Sequence, residues 1–384
     1  MNPHIVGKVA MNHLCPAQQS MPVSQVETPA LLLDMDAFER NLSTMSDELS
    51  GSGVALRAHA KAHKCPSISN RQIAAGAIGV CCQKVSEAEV LVGAGITKVL
   101  VTNEIIAPVK LARLCVLAGR ADVAVLCDNP LAVAALASSA EDAGIVLRVL
   151  VEIEAGGHRC GVAPGEDAAQ LAQLIDRSPS LEFAGLQAYC GSAQHKRRYD
   201  ERELASRKVV EAVKLTKSAL SSRGLDRELV SGGGTGTYRF ERDSGVFTEV
   251  QAGSYAFLDM DYAKILDENG EPVQIFQHSL FILATVISRP AEGRAILDVG
   301  HKAHSVDSGQ AGIVGISGAC VSGQSDEHMM VEIEDGGVEP QIGETVRLIP
   351  GHVDPTFNLH DWVVCDRGGN VEDVWPISAR GPGL

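Results

Sequence analysis

The sequence of 384 residues contains no apolar run long enough to cross a bilayer, and it does not begin with a basic segment followed by an apolar one. We therefore expect neither a membrane-spanning helix nor a secretory signal. Positive charge is also scarce: 33 Lys and Arg stand against 48 Asp and Glu, which gives a net charge of −15. Because nucleic acids and anionic membranes bind basic surfaces, we expect neither as a partner.

Cysteine pairs at the C-x-x-C spacing of thiolate zinc sites are absent, although the chain has 10 cysteines. Two of them, Cys81 and Cys82, are adjacent, and several others lie in apolar segments typical of strands. We interpret the cysteines as mostly reduced thiols of a cytoplasmic protein.

What the chain does contain is a long alternation of short apolar strands with helical segments. Residues 1–27 show no clear period and are interpreted as an N-terminal extension. The alternation over residues 28–262 is typical of a parallel sheet covered by helices, and seven or eight such units predict a closed (β/α)8 barrel of the TIM type. Short β-rich runs over residues 263–384 predict a second domain, an antiparallel β domain.

The segment RAHAKAHK at residues 57–64 follows an apolar strand and precedes a proline that favours the start of a helix. Barrel enzymes place their chemistry at such strand ends. Because side chains two residues apart in an extended segment share a side, we expect one face to carry Arg57, His59, Lys61 and His63. Crowded cations would lower the pKa of Lys61, which could then form a Schiff base. A solvated basic turn is the alternative.

Three further segments follow predicted strands and carry side chains suited to a binding site. CCQKVSEAE places Gln83 in a turn, where its amide could contact a phosphate or a ring substituent. EIEAGGHRCGV places Arg159 after glycines that let the backbone approach a ligand. QAYCGSAQH places Tyr189 over the predicted barrel mouth, with His195 just beyond it as a candidate general base. Each of these side chains, taken alone, could also be ordinarily exposed or packed on the core.

Two glycine-rich turns, SGGGTG and QAGSYAFLD, follow the last two predicted barrel strands. Barrels often hold phosphate at this place, with backbone N–H groups turned towards the anion. The first turn lacks the Gly-Lys-Ser/Thr of a mononucleotide loop and the βαβ context of a dinucleotide fingerprint. The candidate phosphate ligands are Gly233, Gly234, Thr235, Gly253, Ser254 and Tyr255.

The segment PGHVDPTFNLHDW places His352 and Asp354 two residues apart, which would set them on one side of an extended stretch. An imidazole and a carboxylate, completed by water, suit Mg²⁺ or Mn²⁺ better than a closed zinc site. Taken alone the pattern is weak, and a turn capped by the aspartate is the alternative.

Together, RAHAKAHK, the Gln83 and Arg159 segments, SGGGTG and the H-x-D-P-T pattern resemble the D-threonine aldolases and 3-hydroxy-D-aspartate aldolases. These are pyridoxal 5'-phosphate enzymes of the alanine racemase-like fold. The resemblance implies that Lys61 carries the cofactor, that Gln83 and Arg159 contact it, and that the pair His352 and Asp354 holds the metal. It also implies a homodimer.

The activity that this resemblance implies is a metal-assisted retro-aldol cleavage of a small D-β-hydroxy amino acid, with His195 or His63 removing the hydroxyl proton. VTNE, KAHSVDSG and SDEH look most like 3-hydroxy-D-aspartate aldolases, which form glycine and glyoxylate. The second carboxylate of that substrate needs a cation, and the candidates are Arg57, His301, Lys302 and Arg380.

Three other functions stay open on the sequence. A D-threonine aldolase would release glycine and acetaldehyde, whereas a D-threo-3-hydroxyaspartate dehydratase would release oxaloacetate and ammonia. A regulatory protein that holds pyridoxal phosphate without turnover is the non-enzymatic alternative. The H-x-D-P pair argues against it, because a metal site has no use there.

Overall fold

The computed structural model describes residues 15–334, 337 and 339–383. From residue 30 to residue 250 the elements are β1 (Ala30–Asp34), α1 (Met35–Leu49), β2 (Ala55–His59), α2 (Pro66–Ala74), β3 (Gly79–Cys82), α3 (Val85–Gly93), β4 (Lys98–Glu104), α4 (Pro108–Ala118), β5 (Asp122–Cys127), α5 (Pro130–Asp142), β6 (Leu147–Glu152), α6 (Glu166–Asp176), β7 (Leu181–Ala188), α7 (Gly191–Gln194), α8 (Tyr199–Ser221), β8 (Val230–Gly232), α9 (Tyr238–Asp243) and β9 (Glu249–Val250). The later elements are β10 (Leu280–Ala291), β11 (Arg294–Leu297), β12 (Gly312–Ile313), β13 (Ala319–Gln324), β14 (Met329–Ile333), β15 (Thr345–Ile349), α10 (Val353–Phe357), β16 (Trp362–Arg367) and β17 (Asn370–Pro376).

Strands β2 to β9 are parallel and close into an eight-stranded barrel, which confirms the predicted (β/α)8 fold. Closure is made by β9, which pairs with β2 through Glu249 and Val250. The intervening helices pack an apolar layer against the outside of the barrel, so strands such as β5 are buried along nearly their whole length. Because the strands are parallel, all their carboxyl ends meet at one mouth of the barrel.

Helices of the barrel begin where the sequence supplies the appropriate capping residues. The side chains of Asp34 and Asn129 each accept a hydrogen bond from a backbone N–H of the first helical turn. Three starts, one of them the helix capped by Asn129, have a proline in the first turn, where its missing N–H costs nothing: Pro66, Pro108 and Pro130.

The remaining strands form a nine-stranded sheet with the order β13–β14–β11–β10–β1–β16–β17, and β12 and β15 lie off this path. Among the described residues, every pair in this sheet is antiparallel except β1 with β16. The predicted antiparallel β domain after the barrel is therefore confirmed.

Strand β1 corrects the sequence analysis, which placed it among the barrel units. It lies in the second sheet, between β10 and β16. Its apolar sequence ALLLD is that of any strand buried on both faces, and this pattern does not specify the neighbouring strands. Both ends of the described chain therefore enter the sheet, while the barrel lies between them.

No helix among the described residues is long and apolar enough to cross a membrane. All ten cysteines are free thiols, and most of them are buried. Burial raises the pKa of several of these thiols, so they are neutral side chains of the core.

Candidate active site

The four basic side chains of residues 57–64 do not share one face, contrary to the sequence-based expectation. Strand β2 ends at His59, and residues Ala60–Ala62 form a single 3₁₀ turn that breaks the period of two. Arg57 donates two hydrogen bonds to the buried Glu249 inside the barrel, with N–O distances of 2.8 and 2.6 Å. The four basic side chains therefore do not form one cluster, and Lys61 has surroundings different from those of Arg57.

Lys61 lies in the 3₁₀ turn, and its ammonium donates a hydrogen bond to the carboxylate of Asp354. The lysine side chain is 38% exposed and that of Asp354 is 14% exposed. Burial alone would lower the pKa of Lys61, but the facing carboxylate outweighs it and raises the pKa. The expected lowering of this pKa is therefore wrong, because the sequence did not reveal the distant carboxylate.

His59 is the neighbour of Lys61 that the sequence analysis left without a role. Its Nδ1 lies 3.4 Å from the backbone N–H of Lys61, while its Nε2 lies 3.1 Å from both Gln83 Nε2 and Thr102 Oγ1. Burial and the nearby ammonium lower the pKa of His59 far below its usual range, so the imidazole is neutral. The structure thus links Gln83 to Lys61, the predicted cofactor lysine, through His59.

His63 is fully buried and does not reach the barrel mouth. Its Nδ1 accepts from the backbone N–H of Cys65 and its Nε2 lies 3.3 Å from Gln72 Oε1. Burial lowers the pKa of His63 to about 4. With both ring nitrogens engaged inside the core, His63 is not placed to act as the predicted base.

Arg159 and Tyr189 lie together, with the guanidinium carbon 5.7 Å from the centre of the tyrosine ring. Arg159 also lies 3.5 Å from the buried carboxylate of Glu152 at the end of β6. Burial, followed by the neighbouring carboxyl of Glu104, raises the pKa of Glu152 well above its usual range. Each of these glutamates has one buried oxygen without a hydrogen-bond partner in the described chain, which fits two carboxyls that share one proton.

The two glycine-rich turns lie side by side after β8 and β9 and are joined by a hydrogen bond from the backbone N–H of Tyr255 to Thr235 Oγ1. A Cβ atom on Gly234 would lie 2.6 Å from Gln194 Oε1, and one on Gly253 would lie 2.7 Å from the carbonyl oxygen of His59. A larger residue at position 253 would therefore clash with the backbone, and one at position 234 would displace the amide of Gln194. In the described chain, three backbone N–H groups of the first turn donate no hydrogen bond: those of Gly233, Gly234 and Thr235.

The second glycine turn contributes fewer candidate phosphate ligands than the sequence suggested. Ser254 is buried in the single 3₁₀ turn Ser254–Ala256. The side chain of Tyr255 is buried in the core, packs on Phe276 and accepts a hydrogen bond from Gln72 at 3.4 Å. Tyr255 is therefore a core residue rather than the predicted phosphate ligand, since both its hydroxyl and its N–H are already engaged.

The H-x-D segment is not extended, as the sequence analysis assumed, because His352 caps the short helix α10 and Asp354 lies in its first turn. Nδ1 of His352 lies 2.7 Å from Asp307 Oδ2 and 3.3 Å from Ser308 Oγ. A carboxylate partner of this kind fixes the orientation of a metal-binding imidazole and leaves its Nε2 free. Oδ1 of Asp354 is buried without a partner in the described chain, as expected of an oxygen that faces a cation.

His195 follows α7 at the barrel mouth, and its Nδ1 lies 2.6 Å from Asp261 Oδ2. The carboxylate holds the proton on Nδ1, so Nε2 keeps a lone pair for a general base. Asp259, in the same segment, accepts a hydrogen bond from the backbone N–H of Val353 at 3.0 Å. Among the described residues, the segment 259–261 therefore contacts both His195 of the barrel and residues 352–354, which we call the metal segment because they carry the predicted metal ligands.

Another group of potential ligands was not expected from the sequence. Glu104, Asp128 and Cys160 place one ligand atom each within 4.8 Å of the others. The acidic neighbours of Cys160 raise the pKa of its thiol to about 11, after the larger effect of burial. Both Asp128 oxygens already accept hydrogen bonds, so we assign no metal to this group.

Two family models match the chain. The alanine racemase N-terminal domain matches residues 33–261, which contain the barrel, and the putative serine dehydratase domain matches residues 279–365, which contain most of the sheet. Within the barrel, Lys61 follows an early strand and the free backbone N–H groups of residues 233–235 follow β8, which suits a cofactor that carries both an aldehyde and a phosphate. The protein is thus a pyridoxal phosphate enzyme of the alanine racemase-like fold, fold type III.

Comparison with individual proteins narrows this class. D-threonine aldolase of Arthrobacter sp is 46% identical over 366 residues, covering 95% of this chain and 96% of the relative. 3-Hydroxy-D-aspartate aldolase of Paracoccus denitrificans (strain Pd 1222) is 43% identical over 372 residues, covering 96% of each chain. The crystal structure of D-threonine aldolase from Filomicrobium marinum superposes with a TM-score of 0.92 at 46% identity, covering 95% of this chain and 99% of that chain.

The chain therefore belongs to the family of D-threonine aldolases and 3-hydroxy-D-aspartate aldolases. It is a pyridoxal phosphate-dependent carbon–carbon lyase. The resemblance that RAHAKAHK and the glycine turns suggested is confirmed over nearly the full length of the chain.

Proposed function

We propose that this enzyme cleaves 3-hydroxy-D-aspartate to glycine and glyoxylate with the help of a bound divalent cation. The observation that carries the proposal is the contact between Lys61 and Asp354. It places the amine expected to hold the cofactor directly beside a carboxylate with a free, buried oxygen. A substrate bound to the cofactor would therefore lie next to the ligands of the cation.

The cofactor fits the residues of the barrel mouth. Lys61 would hold its aldehyde carbon, and the three free N–H groups of residues 233–235 would hold its phosphate. Arg159, stacked on Tyr189, and Gln83, held by His59, would contact the ring and its substituents. When bound, pyridoxal phosphate accepts the electron pair released by cleavage of the Cα–Cβ bond.

The residues of the sheet fit a hard divalent cation such as Mg²⁺ or Mn²⁺. Asp354 would provide its free Oδ1 and His352 its Nε2, while Asp307 orients the imidazole. Such a cation would stabilise negative charge on the β-oxygen of the substrate. With only two protein ligands, the cation would keep positions for water and for the substrate hydroxyl.

His195 is the residue best placed to accept the proton of the β-hydroxyl. It is polarised by Asp261 and lies with its ring centre 5.9 Å from that of Tyr262. Its side chain is 47% exposed, so the proton can then pass to water. His63, the other candidate, is enclosed in the core.

A second candidate function is the cleavage of D-threonine to glycine and acetaldehyde. It is favoured by the positions of three of the four cations that the sequence offered for a second substrate carboxylate, because each of the three is already paired. Arg57 is bonded to Glu249, Lys302 to Glu327, and Arg380 to Asp361. A methyl side chain, as in threonine, would need no such cation.

The test is to supply the protein with pyridoxal phosphate and Mn²⁺ and to offer each of the two D-amino acids. We expect glycine with glyoxylate from 3-hydroxy-D-aspartate, a slower release of acetaldehyde from D-threonine, and a loss of both on chelation. Lys61→Ala should abolish cofactor absorbance and turnover. Oxaloacetate and ammonia as sole products would instead identify a dehydratase, and no product at all would leave the non-enzymatic alternative.

We further propose that the enzyme is a cytoplasmic homodimer. The free thiols support a reducing compartment. A solution mass of twice the chain mass of 40.5 kDa would establish the dimer, and a mass of one chain would exclude it.

A further inference from the structure

Lys264 is an exposed cation on the segment that joins the two halves of the candidate active site. It ends the single 3₁₀ turn Tyr262–Lys264, directly after Asp261. In the described part of the chain its ammonium forms no ion pair and no hydrogen bond. It differs in this respect from Lys302, whose ammonium lies 2.7 Å from Glu327.

The segment that carries Lys264 is fixed at two points, so its position is set by the site itself. Asp261 holds His195 on the barrel side. Asp259 holds the backbone N–H of Val353, between the two predicted metal ligands, on the sheet side. Tyr262 begins the turn that Lys264 ends, and its ring centre lies 5.9 Å from that of His195. The turn therefore lies over the rim between the base and the metal segment.

The ammonium of Lys264 points towards the metal segment. A Cβ atom built on Gly309 would lie only 3.8 Å from Lys264 Nζ. Gly309 follows Ser308, whose hydroxyl lies 3.3 Å from Nδ1 of His352. The positive charge is thus one residue removed from Ser308, a group that contacts Nδ1 of the histidine of the H-x-D pair.

We propose that Lys264 binds the β-carboxylate of a dicarboxylic substrate and thereby determines the preference for 3-hydroxy-D-aspartate over D-threonine. The proposal rests on the function proposed above and adds the specificity residue that the sequence could not identify. A charged hydrogen bond to a carboxylate is about twice as strong as a neutral one, and D-threonine offers no group to form it. Lys264 therefore favours one substrate without contacting the reacting atoms.

The experiment compares Lys264→Met with Lys302→Met, which removes a cation that is already paired. For 3-hydroxy-D-aspartate we expect kcat/KM of Lys264→Met to fall by about 10–100-fold, mostly through KM, and that of D-threonine to change by less than about twofold. Lys264→Arg should retain most of the preference. An equal loss for both substrates, no loss for either, or the same loss in Lys302→Met would overturn the proposal.

Binding of D-aspartate separates this proposal from the proposed function, because D-aspartate has the second carboxylate but no hydroxyl to cleave. Its affinity for the cofactor-loaded protein, read from the visible spectrum, should weaken by about tenfold in Lys264→Met, while that of D-alanine stays unchanged. If the wild type cleaved neither substrate but D-aspartate binding still depended on Lys264, the aldolase assignment alone would fail. If D-aspartate binding did not depend on Lys264, the inference would fail whatever the activity.

Discussion

The Lys61 ammonium and the Asp354 carboxylate come from two parts of the chain that are 293 residues apart and neutralise each other at the barrel mouth. Either charge alone would be costly in this partly buried place. Burial would raise the pKa of Asp354, but the facing Lys61 and His352 lower it, so the carboxylate is ionised and ready for a cation. The pair therefore links the residue that would bind the cofactor to the residue that would bind the metal.

Replacing the carboxylate of Asp354 with an amide should separate cofactor binding from metal binding. In Asp354→Asn we expect cofactor absorbance to persist, because Lys61 is intact, while kcat/KM falls by about 10²–10³-fold. Stimulation by Mn²⁺ should disappear, because the amide oxygen is a much weaker ligand. Activity and spectrum would be measured over a Mn²⁺ titration.

Asp361→Asn is the matched control, since Asp361 lies nearby on the chain but pairs with Arg380 on the surface. The kcat/KM of Asp361→Asn and its stimulation by Mn²⁺ should match those of the wild type. A wild-type response to Mn²⁺ in Asp354→Asn would remove this residue from the metal site.

Glu241 lies under the first glycine turn and should couple phosphate binding to pH. A Cβ on Gly233 would come within 3.0 Å of its Oε2, which has no partner in the described chain. Burial raises the pKa of Glu241 to about 7, so the carboxyl is neutral below that pH and charged above it. We expect pyridoxal phosphate affinity to fall as pH rises through 7, and Glu241→Gln to bind about threefold to tenfold tighter at about pH 8.5.

Pyridoxal without its phosphate is the control ligand, and its affinity should be the same in both proteins. The raised pKa of Glu241 also affects the free energy of unfolding. Because the folded-state pKa lies above the usual value of 4.5, ionisation costs stability as pH rises from 4.5 to 7, and Glu241→Gln should escape this cost. Equal pH dependence of phosphate binding in both proteins would contradict the coupling.

Among the secondary-structure elements, those with a clear period and a cap could be predicted from the sequence, whereas turns whose shape depends on distant contacts could not. Strand β2 and helix α2 lie where the sequence analysis expected a strand and the start of a helix, because an apolar run and a proline mark them. The 3₁₀ turn after β2 and the helix α10 were missed. Both are too short to show a period, and Lys61 of the first is bonded to Asp354 of the second, which is 293 residues away.

The second glycine turn offers a test of how contacts between neighbouring turns position Lys61. A methyl group at Gly253 would lie 2.7 Å from the carbonyl oxygen of His59, so Gly253→Ala must displace the strand end that carries Lys61. We expect cofactor affinity to weaken by about 1–3 kcal/mol, measured by absorbance titration. Gly93→Ala is the control, because a Cβ there meets nothing within 4 Å, and it should bind the cofactor normally. Unchanged affinity in Gly253→Ala would show that the turn has room to move.

The packing of the barrel against the sheet depends on contacts between distant residues, which no local pattern in the sequence predicts. One apolar cluster contains Leu56 and Val250 of the barrel together with Leu31, Leu280 and Val363 of the sheet. The sequence analysis recognised both parts but divided them at residue 262, because strand β1 looks like any other buried strand of the alternation. Its partners β10 and β16 lie about 250 and 330 residues further along the chain, beyond the reach of periodicity.

Because barrel and sheet share this core, we expect the protein to unfold in a single transition. Both tryptophans, Trp362 and Trp375, lie in the sheet, whereas most of the long helices of the described chain surround the barrel, so fluorescence and helical circular dichroism report mainly on different parts. The two thermal curves should coincide. Leu31→Ala, at a fully buried site of β1, should cost about 2–5 kcal/mol and shift both curves equally, whereas Leu131→Ala, at a site 83% exposed, should shift neither. A shift confined to the fluorescence curve would mean that the sheet unfolds on its own, and the barrel would then be a separate folding unit.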